Sequence, residues 1–353
     1  MDVIRVALLP GDGIGPEVVA QARRVLEAVA GAGLAAVETE TLPHGADHFL
    51  ETGETLGEEA FARIRDDFDC VLLGAVGDPR VPGNEHAREI LLGLRSRLDL
   101  FVNFRPVRLR SPDLSPLRSG GEEGVDFVIF RENTEGLYAQ SGGHLREGSP
   151  HEVAVSESIA TRTGVERLVR AAFRHARETG RERVTLGDKA NAVPHVYGLW
   201  RRVFRDVAAE HPAVEAETRY VDALAMELVR SPGRFEVVVA ENLLGDILSD
   251  LGAELVGGPG MAPSANLHPG RHGLYEPVHG SAPDLAGTRR ANPMAAVLSV
   301  ALLLRDHGAT EAAGRVEEAV DRALAEGVRT PDVGGERTTG EVGRWLAEAV
   351  RGG

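Results

Sequence analysis

Short apolar segments alternate with amphipathic helical patterns along most of the chain. Buried strands are predicted at residues 3–9, 69–73, 126–130, 184–186 and 236–240. Stretches with apolar residues at helical spacing alternate with these strands. This alternation favours an α/β fold with a largely parallel sheet, because consecutive parallel strands need crossover connections that are usually helical.

Several helices can be placed from their own patterns. Residues 17–30 carry apolar side chains on one face. Residues 163–166 read Thr-Gly-Val-Glu, a capping-box pattern that predicts Thr163 as the cap of the next helix, with Gly180 ending it. The C-terminal part of the chain predicts helices near 293–306, 311–326 and 340–350.

The overall charge is strongly acidic, 39 basic against 54 acidic residues for a formal net charge of −15. Such a surface repels phosphate backbones, so nucleic acid is excluded as an expected partner. No segment approaches the ~20 apolar residues that span a bilayer, and the apolar run at 6–9 is too short for a secretory signal. We expect a cytoplasmic protein without membrane contact, in which Cys70, the single cysteine, is a buried and inert thiol.

Lysine is nearly absent: the sequence has 38 arginines and one lysine, Lys189. Arginine stays protonated in proteins, whereas lysine can lose its proton. Lys189 is therefore a candidate for proton chemistry. Chance survival of one surface lysine is an equally good interpretation of the composition alone.

A glycine-rich motif, residues 10–17, lies between the first predicted strand and helix. It resembles the dinucleotide-binding fingerprint, but Pro16 stands where that fingerprint requires glycine. The motif therefore does not predict a Rossmann fold. A phosphate-binding loop and a tight strand-to-helix turn both remain open.

Two aspartates, Asp246 and Asp250, are spaced to share one face of a helix. Like charges one turn apart repel, and a hard divalent cation bound through oxygen would stabilise them. Solvated surface acids are the commoner explanation of such spacing, and Asp222 is a possible third ligand. The buried stripe of this helix is predicted to consist of Leu243, Leu244, Ile247, Leu248 and Leu251.

Three arginines, Arg95, Arg105 and Arg131, are candidates for binding carboxylates, because the guanidinium fork binds them bidentately. Each is otherwise explained as a surface charge. Arg131 is the strongest candidate, since it follows a buried strand at the end where α/β proteins bind ligands. Residues 276–284 form a further candidate, a turn that could offer backbone N–H groups to a diphosphate.

Five motifs together resemble the β-decarboxylating dehydrogenases, the isocitrate/isopropylmalate dehydrogenase family, which also includes homoisocitrate and tartrate enzymes. These motifs are residues 9–17, 131–138, 188–191, 242–250 and 279–284. The resemblance implies a two-domain α/β fold with a large, mostly parallel sheet that is not a Rossmann fold. It assigns 1–100 and 257–353 to a large cofactor-binding domain, and 101–256 to a smaller domain for substrate, metal and dimerisation.

The resemblance also implies roles for single residues. Lys189 and Tyr138 match the acid–base pair, and Arg95, Arg105 and Arg131 match the clamp on the substrate carboxylates. Asp246, Asp250 and a partner subunit's copy of Asp222 match the ligands of Mg²⁺ or Mn²⁺, so a homodimer with shared active sites is expected. The positions matching the NAD site are Asn191, Glu276, His279, Gly280, Ser281, Ala282, Asp284 and Asn292.

The substrate is expected to be a 3-substituted malate that is oxidised and decarboxylated. Leu91 and Leu92 predict an apolar substituent, hence 3-isopropylmalate, which yields 2-oxoisocaproate in leucine biosynthesis. Residues 131–138 instead read as in isocitrate and homoisocitrate enzymes, and Pro194-His195 departs from the expected pattern. Isocitrate, homoisocitrate, tartrate or a specialised-pathway substrate therefore stays open. A non-catalytic regulatory subunit is disfavoured, because the metal and acid–base residues are all kept.

Overall fold

The computed structural model describes residues 3–117 and 124–352, which divide into two compact units. Within the described ranges, the first unit comprises 3–100, 108–117 and 253–352, and the second comprises 101–107 and 124–252. Residues 108–117 and 253–256 lie in the first unit, whereas the resemblance implied the smaller domain for both ranges. Residues 108–117 belong to the first unit because Arg110 donates to Asp321 at 2.7 Å and Asp113 is ion-paired with Arg329.

The first unit is a helix-covered sheet. Its elements are β1 (Ile4–Gly11), α1 (Gly15–Gly31), β2 (Val37–Thr41), α2 (Ala46–Thr52), α3 (Glu58–Asp67), β3 (Cys70–Ala75) and α4 (Glu85–Arg97) and, after the second unit, β11 (Pro263–His268), β12 (His272–Pro277), α9 (Met294–Asp306), α10 (Thr310–Ala325) and α11 (Thr339–Gly352). The strand order is β2-β1-β3-β12-β11. Among the described strands of this unit, β11 and β12 pair antiparallel and the other neighbours pair parallel.

The second unit repeats this alternation. Its elements are β4 (Val102–Arg108), β5 (Asp126–Glu132), β6 (Gly142–Leu145), β7 (Val153–Ser156), α5 (Arg162–Thr179), β8 (Arg183–Asp188), α6 (Pro194–Ala208), β9 (Glu215–Tyr220), α7 (Val221–Arg230), β10 (Val237–Ala240) and α8 (Asn242–Glu254). The strand order is β4-β5-β10-β8-β9, with parallel pairing from β5 to β9. Strands β6 and β7 form a separate antiparallel ribbon.

Burial explains why the strands were visible in the sequence. Every residue of β3 and β10 is buried, as in a parallel sheet covered on both faces. Helix α9 is also buried on nearly all sides, from Met294 to Leu304. The predicted α/β fold with a mostly parallel sheet is confirmed. Among the described residues, no helix is long and apolar enough to cross a membrane.

Two local predictions were wrong. Thr161, not Thr163, caps α5, since its hydroxyl accepts from Gly164 N at 3.0 Å while Thr163 lies inside the helix. Ile247 is 59% exposed, although it was placed in the buried stripe of α8. The inward face of α8 instead runs through Gly245, Leu248 and Gly252, so Ile247 points to the other side.

The glycine motif forms a tight turn between β1 and α1. Gly11 and Gly13 adopt φ of +70° and +57°, a region that favours glycine. A Cβ at Gly11 would lie 1.9 Å from the carbonyl oxygen of Ala75, and one at Gly13 would lie 1.9 Å from that of Ser281. These glycines allow two backbones to approach each other, which is the structural interpretation of the motif.

Candidate active site

Arg131 and Asp246 form the centre of a polar cluster in the second unit. Arg131 ends the buried strand β5, is 2% exposed, and is ion-paired with Asp246 on α8. Its Nε and Nη2 donate to Asn242 Oδ1 at 3.1 and 2.9 Å. Gly245 makes this packing possible, since a Cβ there would lie 2.7 Å from the Arg131 side chain. The strand end and the helix thus fix the guanidinium together.

Tyr138 joins the same cluster from the segment after β5. Its hydroxyl donates to Asp246 Oδ2 at 2.8 Å, and the Arg131 guanidinium lies 5.4 Å from its ring centroid. Asn242 Nδ2 donates to the carbonyl of Glu135 at 2.9 Å, which anchors this segment to the start of α8. A predicted acid–base residue and a predicted metal ligand are therefore in direct contact.

Asp250 lies one helical turn after Asp246 and faces a second buried arginine. Arg105 Nη1 is 3.7 Å from Asp250 Oδ1 and donates to Ser249 Oγ at 3.3 Å, while its Nε donates to Asn103 Oδ1 at 2.8 Å. Burial raises the pKa of Asp250; Arg105 opposes the shift and the nearby Asp246 adds to it. Asn103 and Ser249 were not predicted, because only their position beside the arginine in space distinguishes them.

Lys189 and Asp222 make a separate pair in the second unit. The Lys189 Nζ lies 2.8 Å from Asp222 Oδ1, and this hydrogen bond lowers the pKa of Asp222. The preceding Asp188 is fully buried and accepts from Arg201 Nε at 2.7 Å and from Ala190 N at 2.8 Å, which holds the end of β8 in place. Asn191 follows on an exposed turn.

The three predicted metal ligands do not form one group within a single chain. Among residues 3–117 and 124–352, no three or more His, Cys, Asp or Glu side chains are arranged to hold a metal ion. Asp246 and Asp250 share a face of α8, whereas Asp222 lies in the first turn of α7 with Lys189. Within one chain, the predicted ligands therefore lie in two groups, Asp246 with Asp250 and Asp222 with Lys189.

Arg95 lies in the first unit, at the end of α4. Its Nη2 donates to Glu276 Oε1 at 2.9 Å, and both side chains are buried. Asn266 Nδ2 donates to the same oxygen at 2.8 Å, while Arg95 Nε is buried without a hydrogen-bond partner among the described residues. Of the two leucines on this helix, Leu91 packs partly against the apolar core of the first unit and Leu92 is half-buried.

The loop from His279 to Asp284 continues from β12 in the first unit. His279 Nδ1 donates to the carbonyl of Gly280 at 3.0 Å, and its Nε2 is buried with no partner in the part of the chain described. Burial lowers the pKa of His279. Ser281 O accepts from Ile14 N at 2.8 Å, and Ala282 adopts φ of +38°, unusual for a residue with a side chain. Asp284 is exposed.

Asn292 differs from the other predicted cofactor residues because its amide is used by the fold. Its Nδ2 donates to Asp332 Oδ2 at 3.0 Å, and its Oδ1 accepts from Met294 N at 3.0 Å at the start of α9. The side chain is also buried. Its observed role is to fix the beginning of α9.

In the second unit of this α/β protein, paired aspartates lie beside buried arginines near the end of a parallel strand, residue types that suit a polycarboxylate and a hard cation. The sequence profile of the isocitrate/isopropylmalate dehydrogenase family matches residues 5–346, and the chain belongs to this family. This confirms the resemblance inferred from the five motifs.

Relatives and solved structures agree with this assignment. The chain is 45% identical to a 3-isopropylmalate dehydrogenase of Thermobifida fusca (98% of each chain) and 48% identical to one of Frankia casuarinae (99% of this chain, 100% of that one). An isocitrate dehydrogenase from Methylococcus capsulatus superposes with a TM-score of 0.90 at 36% identity, covering 99% of each chain. A β-decarboxylating dehydrogenase from Thermococcus kodakarensis has a TM-score of 0.79 at 38% identity, covering 98% of this chain and 96% of that one.

Proposed function

We propose that this protein oxidises and decarboxylates 3-isopropylmalate with NAD and a divalent cation, giving 2-oxoisocaproate, CO₂ and NADH, in leucine biosynthesis. The observation that most directly supports this proposal is the contact of Tyr138 and Arg131 with Asp246. Asp250, one helical turn further along α8, lies beside Arg105. Relatives named 3-isopropylmalate dehydrogenase, 44–48% identical over nearly the whole chain, support the choice of substrate.

The carboxylates on α8 fit a divalent cation. Two like charges stand one turn apart, and partial desolvation and the charge of Asp246 raise the pKa of Asp250 although its side chain is 67% exposed, so a bound cation would relieve this repulsion. Asp246 and Asp250 would hold Mg²⁺ or Mn²⁺, and Asp222 of a second chain would complete the set. When bound, the cation supplies a Lewis acid that favours negative charge on the substrate oxygens.

The loop after β12 fits a dinucleotide. His279 Nε2 is a buried nitrogen without a partner among the described residues, which a ligand hydrogen bond would satisfy. The exposed carboxylate of Asp284 is free to accept from a ribose hydroxyl, and Glu276, residues 280–282, Asn191 and Asn292 complete the proposed NAD site. When bound, NAD supplies the hydride acceptor.

The remaining chemistry is assigned to side chains of this protein. The guanidinium groups of Arg105 and Arg131 neutralise the two substrate carboxylates, and Arg95 is proposed as a third carboxylate ligand. Lys189 in the ion pair with Asp222 is protonated, so it must first release a proton to solvent; the neutral amine then accepts the proton of the C2 hydroxyl. After loss of CO₂, the hydroxyl of Tyr138 donates a proton to C3, and its contact with Asp246 holds it close to the carboxylate-bearing face of α8.

We further propose a homodimer in which each active site uses both chains. Within one chain, Lys189 is bonded to Asp222 and Tyr138 to Asp246, so the acid–base pair is divided between two partial sites. Met226 on α7 and Ile247 on α8 are 63% and 59% exposed, and a second copy could cover these two large apolar side chains. Two copies could thus join complementary partial sites.

Substrate choice is tested by NADH absorbance with Mn²⁺ on 3-isopropylmalate, isocitrate, homoisocitrate and tartrate. We expect 3-isopropylmalate to give the highest kcat/KM. A higher value for isocitrate would favour the second candidate, for which the high TM-score to an isocitrate dehydrogenase is the specific observation. No turnover on any of the four would favour a regulatory subunit.

The shared site is tested by mixing two variants at a low Mn²⁺ concentration, at which neither has measurable activity alone. Lys189→Met and Asp246→Asn, co-expressed with different tags, should regain about one quarter of wild-type activity, because half the dimers are mixed and one of their two sites is intact. The matched control mixes Lys189→Met with Asp222→Asn, which damage the same partial site and should restore nothing. Absence of restoration in the first mixture would refute sites shared between chains.

A further inference from the structure

His86 is a fully buried histidine in the first turn of α4. Its Nε2 donates to Asp12 Oδ2 at 2.8 Å, and its ring stacks on Phe49 at 6.0 Å between centroids. The other nitrogen, Nδ1, is buried without a partner among the described residues. An apolar side chain would fill the same space without that cost. The hydrogen bond to Asp12 is therefore what a histidine adds at this position.

Asp12 is the point where several segments of the first unit meet. Its Oδ1 accepts from Ala46 N at 2.6 Å, at the start of α2. Its Oδ2 accepts from Gly77 N at 2.7 Å, in the loop after β3, as well as from His86. Because Asp12 lies in the turn between β1 and α1, one carboxylate ties this turn to three other segments.

The opposite side of the same turn holds the proposed cofactor loop. Ile14 N donates to Ser281 O at 2.8 Å, and a Cβ at Gly13 would lie 1.9 Å from that oxygen. Glycine at position 13 is therefore needed for the loop to approach the turn this closely. Residues 11–14 therefore fix Ser281 on one side and, through Asp12 and His86, the start of α4 on the other.

Helix α4 also carries proposed substrate ligands. Leu92 and Arg95 follow His86 on the same continuous helix, and Arg95 lies roughly 13 Å further along its axis. A displacement of the first turn of a rigid helix moves its later residues as well. A displacement of His86 would therefore also move Arg95 and disturb its ion pair with Glu276.

We propose that His86 is a positioning residue that holds α4 in register with the cofactor loop through the carboxylate of Asp12. This deepens the proposed function and rests on it, since α4 and the loop are assigned to substrate and NAD there. Asp12 acts on both elements, whereas His86 acts on α4 alone. The two residues should therefore give different defects when changed.

The first test needs no turnover and uses amide hydrogen exchange of the whole protein. His86→Phe keeps an aromatic ring but lacks the donor, and should speed exchange in 85–90 while leaving 279–284 unchanged. Asp12→Asn should speed exchange in both segments. His272→Phe is the matched control: this histidine of β12 also has one bonded nitrogen and one buried nitrogen without a partner, and does not contact Asp12 in the described structure.

The second test uses steady-state kinetics on the best malate substrate of the panel. His86→Phe should raise the KM for that substrate about tenfold, the loss expected for one hydrogen bond to a charged group, with little change in the KM for NAD. His86→Gln, which retains an amide donor, should recover most of this loss. Asp12→Asn should raise both KM values.

The outcomes separate this proposal from the proposed function. If the wild type fails to oxidise 3-isopropylmalate, the function is wrong, and the exchange pattern still decides the role of His86. A uniform rise in exchange, or a fall in kcat at unchanged KM values that glutamine does not rescue, would indicate a purely structural role. If the amide hydrogens of residues 85–90 exchange in His86→Phe at the wild-type rate, the proposal is wrong.

Discussion

Lys189 Nζ lies 2.8 Å from Asp222 Oδ1, so the one lysine of this chain is held by an aspartate that is itself a proposed metal ligand. The ion pair fixes the position of the amine and lowers the pKa of Asp222. An arginine could make the same ion pair, but it would stay protonated, whereas a lysine can release its proton and then accept another. A lysine at this position is therefore compatible with the proposed role in proton transfer.

Lys189→Met should fold and bind NAD normally but lose ~10²–10⁴-fold in kcat, the usual contribution of one acid–base group. Lys189→Arg is the informative control, because it keeps the positive charge beside Asp222 and should be nearly as inactive. The measurement is kcat by NADH absorbance, with circular dichroism to verify folding. Wild-type turnover in the arginine variant would show that only charge is needed.

Asp250→Asn should raise the Mn²⁺ concentration needed for half-maximal activity, because a neutral amide is a weaker ligand for a hard cation. Asp246→Asn should do the same and also lower kcat, since Asp246 contacts both Arg131 and Tyr138. Asp206→Asn, an exposed acid paired with Arg162 on the surface, is the control and should match the wild type. Activity that persists in EDTA would rule out the metal assignment.

NAD should be preferred over NADP. The exposed carboxylate of Asp284 can accept from a free ribose hydroxyl and would repel a 2′-phosphate. Arg289 and Arg290 follow in sequence and could pair with that phosphate instead. We expect Asp284→Asn to narrow the difference in kcat/KM between the two cofactors, with the exposed surface variant Asp206→Asn as control. Equal kcat/KM values in the wild type would contradict the prediction.

The kcat/KM for 3-isopropylmalate should exceed that for isocitrate by at least ~100-fold. The extra carboxylate of isocitrate would be buried without a partner, and such a charge is strongly disfavoured. Arg88 is the nearby cation that could bind an extra carboxylate, but its Nη2 donates to Gly83 O at 2.8 Å in the turn before α4. Arg88→Ala should therefore leave the preference unchanged. If isocitrate or homoisocitrate is preferred and the substitution abolishes that preference, the pocket is polar.

Because of His175, the free energy of unfolding should fall as the pH is lowered. Burial against Phe104 and Phe130 lowers its pKa from 6.5 to about 4. Between these values the unfolded chain binds a proton that the folded protein excludes, so the free energy of unfolding decreases from pH 6.5 down to about pH 4. Urea unfolding at several pH values should show a smaller decrease in His175→Leu, and an unchanged one in His151→Leu, which alters an exposed histidine. Equal pH dependence in all three proteins would contradict this.

The sequence predicted the elements whose pattern is local. The buried strands were found because β3 and β10 are apolar at every position, and Gly180 was correctly placed as the end of α5. The helical spacing of Asp246 and Asp250 likewise placed both on one face of α8. In each case, neighbouring residues along the chain carry the information.

Other features depend on contacts that a local pattern does not contain. Thr161 and Thr163 offer the same hydroxyl two residues apart, and only the path of the chain selects the first as the cap. Ile247 matches the apolar stripe of α8, but close packing at Gly245 and Gly252 turns another face inward. Asp12 and His86 lie 74 positions apart, so their contact follows from the folded sheet alone.

The near absence of lysine has a practical consequence. The side chain of Lys189 is 32% exposed, and it carries the one side-chain amine in the sequence. A reagent selective for side-chain amines would report on this position without any engineered substitution. The extent of labelling at Lys189, measured by mass spectrometry with and without metal, cofactor or substrate, would show in the native protein whether each ligand protects this amine.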